Sequence, residues 1–145
     1  MSTQLETEVT GWLASQHDAM IALLRDAVNT DSGSYDKAGV DAVGQLFIDF
    51  FAQHGLLTSR EANDTYGDAI HIRLDDTRPN EKPILLMGHR DTVFPKGEAG
   101  RRPFRIDDGR AYGPGVCDMK GGLVINAFVL AAFKKFGGAA APVIG

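Results

Sequence analysis

Cys117 is the single cysteine of the chain. A lone thiol excludes an internal disulfide and a cysteine-based zinc site, and such a residue more often packs as a small core side chain than it ligates a metal. Long apolar runs are also missing. The longest uncharged one, Gly121 to Phe133, is too short to span a bilayer. Basic charge is not in excess: the net charge of −4 gives no electrostatic reason to expect nucleic acid or an anionic membrane as partner. The first residues carry Glu6 and Glu8 and no basic stretch before an apolar one, so a cytoplasmic location is the expectation. There is no Gly-x-Ser-x-Gly elbow, no phosphate loop and no Gly-x-Gly-x-x-Gly fingerprint, which removes the commonest α/β hydrolases and nucleotide enzymes.

What remains is an ordinary globular composition, 43% hydrophobic and 23% charged over 145 residues, enough for one domain with a real core. Val9, Trp12, Leu13, Met20, Leu23 and Leu24 recur at helical spacing and predict one amphipathic helix from about Thr3 to Val28. Asn29 to Tyr35 reads as a polar loop. A second helix is expected from about Asp36 to His54, its stripe formed by Val40, Val43, Phe47, Phe50 and Phe51, with Gly55 as its stop. Leu56 to Ser59 suits a strand. Ile70, Ile72 and Leu74 alternate with polar residues, as a half-buried antiparallel strand does. Arg78 to Glu81 reads as a turn. Ile84 to Met87 shows no alternation and predicts a central strand covered on both faces. Phe94 to Arg102 is a Gly- and charge-rich loop, and Phe104 to Tyr112 a hairpin turning at Asp108-Gly109. Leu123 to Phe136 is apolar nearly all round and predicts a buried helix ended by Gly137-Gly138. Ala139 to Ile144 leads into another strand. The order gives an α/β domain, a mixed sheet flanked by helices.

The residues that carry chemistry gather at two places. His89 and Asp91 follow the apolar run of Ile84 to Met87, at the carboxyl end of a strand, where open α/β sheets bind their ligands. Residues two apart share a side, so both can face one site. A metal-bound imidazole needs its second ring nitrogen held by an acceptor, and a carboxylate two residues on can do that. The plain alternative is a hydrogen-bonded histidine with Asp91 capping a turn. Asp118 lies among Gly113, Gly115, Gly121 and Gly122, where the backbone can turn tightly before a helix. It reads either as a helix-start aspartate favoured by the dipole or as a carboxylate whose two oxygens each meet one cation. Its combination with His89 and Asp91 favours the metal.

Gly88-His89-Arg90-Asp91-Thr92-Val93 and Tyr112-Gly113-Pro114-Gly115-Val116-Cys117-Asp118-Met119-Lys120-Gly121-Gly122 together resemble the M20 family of metallopeptidases and deacylases. The Phe94-Pro95-Lys96-Gly97 and Pro103-Phe104-Arg105 neighbourhoods are most similar to its glutamate carboxypeptidase-like branch. The resemblance implies a partial zinc-exopeptidase (phosphorylase/hydrolase-like) catalytic domain. It implies that His89 is a terminal ligand of one zinc ion, that Asp118 bridges two, and that Asp91 is the catalytic-site aspartate that orients His89. Cobalt or manganese could stand in for zinc. It further implies a non-proline cis peptide at Asp118-Met119, a small peptide or N-acyl amino acid as substrate, attack by a metal-bridged water on the amide carbonyl, and a homodimeric parent.

The pattern also departs from the family. Its Glu-Glu pair, its further acidic ligand and its distal histidine have no counterpart, since no Asp, Glu or His follows Asp118. Residues 1–145 therefore read as the N-terminal part of the catalytic domain, with the dimerisation domain and the C-terminal part of the catalytic domain outside it. A zinc site needs at least three protein ligands, so this chain is expected to bind zinc weakly and not to hydrolyse amides by itself. The alternative is a non-catalytic M20-like scaffold that serves as a binding module; another hydrolase with a dinuclear metal site is a third reading. His17, His54 and His71 read as solvated or capping, Arg101 and Arg102 as solvated, and Asn63-Asp64-Thr65 as a glycosylation pattern without consequence. Arg90 is expected to point away from the metals, and Lys120 to serve packing or the field of the site.

Overall fold

The computed structural model describes residues 3–74, 81–137 and 143–145. Helix α1 spans Gln4–Ser15 and α2 spans His17–Val28. Thr3 and Glu6 close α1 with a reciprocal capping box. The single helix expected over Thr3 to Val28 is thus two. The chain turns at Gln16, whose amide donates to the Leu13 carbonyl at 3.1 Å. The apolar periodicity runs through the turn because both helices bury one stripe, α1 against the last helix and α2 against that helix and α3. Helix α3, Lys37–Gln53, begins at Asp36, whose carboxylate accepts from the Gly39 amide at 3.2 Å, and ends at His54.

Strands β1 (Leu57–Glu61) and β2 (Ala69–Arg73) pair antiparallel, Ser59 opposite His71. β3 is Ile84–Leu85, and β6, Val143–Ile144, lies between β2 and β3, antiparallel to the first and parallel to the second. The sheet order β1-β2-β6-β3 makes it mixed, as expected. β3 differs from its expectation. It sits at the edge of the sheet rather than at its centre, and Ile84, Leu85 and Met87 are exposed, Met87 at 77%. The run is apolar as a two-sided strand must be, yet among the described residues nothing covers its outer side.

A one-turn helix α4, Glu98–Arg101, interrupts the loop expected over Phe94 to Arg102. Asp31 accepts from the Gly97 and Ala99 amides at its start, at 2.7 and 2.8 Å. Buried Glu98 pairs with both Arg101 and Arg102, so neither arginine is merely solvated. β4 (Arg105–Asp107) and β5 (Arg110–Tyr112) form the expected hairpin about Asp108-Gly109, both at positive φ. An irregular turn, Val116–Lys120, enters helix α5, Gly121–Phe136, which Gly137 ends at φ 96°. Val116–Phe136 taken together is long and apolar enough to cross a membrane. In this fold its side chains fill the core instead: Ala127, Phe128, Leu130 and Ala131 are at most 1% exposed and meet Val43, Phe47, Phe50, Phe51, Ile72 and Val143. The expected turn at Arg78 to Asn80 and the stretch from Gly138 to Pro142 lie outside the described residues.

Candidate metal centre

The centre is built where the end of β3 meets the turn before α5. After Leu86, whose amide donates to the Ile144 carbonyl at 2.9 Å, the chain leaves the sheet and places His89, Arg90 and Asp91 alternately on opposite sides. His89 and Asp91 share one side. His89 Nδ1 lies 3.1 Å from both the carboxylate Oδ1 and the carbonyl oxygen of Asp91. Arg90 goes the other way, as expected. Its guanidinium lies against Gly44 of α3, Nη2 donates to the Asp68 carbonyl, and Nη1 is buried without a hydrogen-bond partner among the described residues.

The second carboxylate arrives from the glycine-rich turn. Gly115 stands at φ 74°, a region that favours glycine, and a Cβ there would lie 2.6 Å from the Thr92 methyl group. The absence of that side chain lets the turn close on the His89–Thr92 segment. The Asp118-Met119 peptide is cis, as the resemblance implies. Asp118 Oδ1 comes to 3.1 Å from His89 Nε2, and its side chain is 88% exposed, with room for a further partner. The three residues singled out from the sequence therefore form one line: Asp91, His89, Asp118.

Burial works against a charged His89, but the Asp118 carboxylate, then the Asp91 carbonyl and carboxylate, outweigh it and hold the pKa above the usual 6.5. The Asp91 carboxyl is held below its ordinary value, first by the Ser34 hydroxyl, then, against burial, by His89. Ser34 Oγ donates to Asp91 Oδ2 at 2.5 Å. Sequence reasoning leaves Ser34 in a polar loop; it lies 57 residues before its partner, and no local pattern joins them. Lys120, 1% exposed, donates from Nζ to the carbonyls of Ala27 and Thr30 at 2.8 and 2.9 Å and ties the turn to the end of α2. Burial pushes its ammonium down to about 8, against the pull of the Asp31 carboxylate. Cys117 is exposed rather than a core residue. The remaining histidines stay away: His17 beside Asp18, His71 beside Glu61, and His54 at the end of α3, its Nδ1 2.8 Å from the Phe50 carbonyl. Asn63 Oδ1 accepts from the Thr65 and Tyr66 amides, a local turn.

The donor chemistry fits a divalent metal in part. Two ligand atoms of a tetrahedral zinc, each about 2.0–2.1 Å from it, sit roughly 3.3 Å apart; His89 Nε2 and Asp118 Oδ1 are 3.1 Å apart. Asp91 occupies the supporting position such a histidine needs. Among the described residues no group of three or more His, Cys, Asp and Glu comes together to hold an ion, so the pair is an incomplete set.

The sequence profile of peptidase family M20/M25/M40 matches residues 85–144. Carboxypeptidase G2 of Pseudomonas sp. (strain RS-16) is 33% identical over 84% of this chain and 29% of its own length. Succinyl-diaminopimelate desuccinylase of Rhodospirillum centenum (strain ATCC 51521 / SW) is 36% identical over 77% of this chain and, again, 29% of its own. The fold superposes on Dug1p, a di-peptidase of Saccharomyces cerevisiae, with a TM-score of 0.77 at 22% identity, covering 99% of this chain and 34% of that one. This chain thus spans about a third of the length of the proteins it matches. Both motifs are in place and the α/β fold is shared, so these matches support reading the chain as similar to part of an M20 family peptidase.

Proposed function

We propose that this chain supplies part of a dinuclear zinc centre to a hydrolase of peptide or amide bonds, an M20-type carboxypeptidase or N-acyl-amino-acid deacylase. The observation that carries the reading is the placement of His89 between two carboxylates, Asp91 on Nδ1 and Asp118 on Nε2. In this reading His89 and Asp118 would hold the metal, and Asp91 would fix the ring so that Nε2 keeps its lone pair for it. M20 peptidases are generally metal-dependent; bound here, the cations would lower the pKa of a water and polarise the scissile carbonyl. The exposure of Asp118 leaves that carboxylate reachable by substrate and by further ligands.

His89 and Asp118 are two ligands, and a zinc site draws on at least three. The chain of 145 residues therefore binds zinc weakly and is inactive alone, and the remaining donors come from polypeptide that it does not contain. The relatives suggest a small peptide or an N-acyl amino acid as substrate. A cytoplasmic location and a homodimeric parent belong to the same proposal. The test is hydrolysis of a dipeptide and of an N-acyl-glutamate, with zinc added and with a chelator. The 145-residue chain is expected to show no chelator-sensitive turnover, whereas a polypeptide extended by the downstream coding sequence gains it. Metal-dependent hydrolysis by the short chain, or none by the extended one, contradicts the reading.

A further inference from the structure

The segment just before α3 lies alongside the metal-centre strand. Gly33 and Thr92 form a parallel bridge. The Thr92 amide donates to the Ser32 carbonyl at 2.7 Å, and the Ser34 amide donates to the Thr92 carbonyl at 3.0 Å. Ser32 and Thr92 are buried. This backbone clamp sets the position of both serines, but their hydroxyls do different things. Ser32 Oγ donates to the Arg90 carbonyl at 2.9 Å and so ties main chain to side chain. Ser34 Oγ reaches Asp91 Oδ2 at 2.5 Å, with the Thr92 carbonyl a longer alternative at 3.3 Å.

The consequence lies in how Asp91 divides its oxygens. Oδ2 is taken by Ser34, and Oδ1 faces His89 Nδ1 at 3.1 Å. A carboxylate anchored at one oxygen cannot swing the other away from the imidazole. Groups that orient a metal-binding histidine from behind act on affinity through ring orientation and tautomer. We propose that Ser34 is a positioning residue of the metal centre: its hydroxyl locks the Asp91 carboxylate so that Asp91 holds the Nδ1–H of His89 and leaves Nε2 directed at the Asp118 side. The function rests on the zinc reading above; the geometry of the Ser34–Asp91–His89 line does not.

The 145-residue chain is compared with its Ser34→Ala, Ser34→Thr and Ser32→Ala variants. Zinc affinity is read by competition with a weak chromophoric chelator, and the Nδ1–H proton of His89 by NMR on histidine-labelled protein, with and without zinc. Ser34→Ala is expected to weaken zinc binding about 10- to 100-fold, as loss of such supporting groups does, and to lose the exchange-protected Nδ1–H signal. Ser34→Thr, which keeps a hydroxyl, retains both. Ser32→Ala removes the neighbouring serine's bond to the Arg90 carbonyl without touching Asp91, so it lowers the melting temperature and leaves both readouts unchanged. If Ser34→Ala fails to fold, Ser34→Cys, a weak donor of similar shape, makes the same comparison. Unchanged affinity and signal in Ser34→Ala, or equal losses in Ser32→Ala, overturn the proposal. If the unsubstituted chain takes up no zinc, the metal reading fails by itself, and the Nδ1–H signal of the zinc-free proteins still decides the role of Ser34.

Discussion

At the scale of single residues, His89 is the hinge of the site because both its nitrogens face carboxylates. Its pKa is raised in the folded chain. The sign of the linkage follows. The folded state holds the proton more tightly than the unfolded state, so the stability that charged His89 contributes is complete below about pH 6.5 and is lost as pH rises through the higher folded value. Denaturant melts of the zinc-free chain between pH 5 and 8.5 should show that loss, and His89→Gln should flatten it. Asp91→Asn should lower the His89 pKa toward the ordinary value, read by NMR titration. Lys120 gives a second residue-scale expectation. Lys120→Met removes the ammonium from the Ala27 and Thr30 carbonyls; the first keeps the Thr30 amide at 3.3 Å, so the loss centres on Thr30, and an unsatisfied group costs about 1–3 kcal/mol. Its midpoint in urea should fall, with no recovery at any pH. That His89, Asp91 and Asp118 come together could be expected from the sequence, because their identity and spacing are themselves the signal. Ser34 and the Arg90–Asp68 contact could not, since each joins segments far apart in the chain through hydrogen bonds that leave no periodicity.

At the scale of elements, the same physics explains what was legible. Helix α3 and the hairpin matched their expectations within a residue or two, because Asp36, Gly55 and Asp108-Gly109 are local start, stop and turn signals. The turn at Gln16 was not legible, since a kink between two helices that bury the same stripe leaves the pattern intact. β3 was legible as a strand and misplaced as central, because an apolar run reports what a strand is suited to be covered by, not what covers it. Two glycines in helices separate propensity from packing. At Gly11 in α1 an added methyl group would meet nothing within 4 Å, so Gly11→Ala should stabilise the chain by about 0.8–1 kcal/mol. At Gly39 in α3 a Cβ would collide with the Asp31 carbonyl oxygen, so Gly39→Ala should destabilise despite the same gain in propensity. Paired thermal melts give opposite signs if the loop before α3 packs on it as described, and equal signs if it does not.

At the scale of the whole molecule, helices α1, α2, α3 and α5 pack one core against the sheet, and among the described residues part of that core is open toward the site. A groove of about 860 Å³ runs between β2 and the end of β3, from Ile70 and Ile72 past Leu86 and Met87 to His89 and Asp91. An unpaired, apolar sheet edge invites pairing with other chains. The 145-residue chain is therefore expected to self-associate with rising concentration, and Leu85→Lys, a charge placed on exposed β3, should reduce that association in sedimentation velocity. The central claim is that His89 and Asp118 are the metal ligands this chain contributes. Calorimetric titration of zinc into the unsubstituted chain and its His89→Ala and Asp118→Ala variants tests it most directly. Weak binding that either substitution abolishes is the predicted result; zinc uptake that survives either substitution would contradict it.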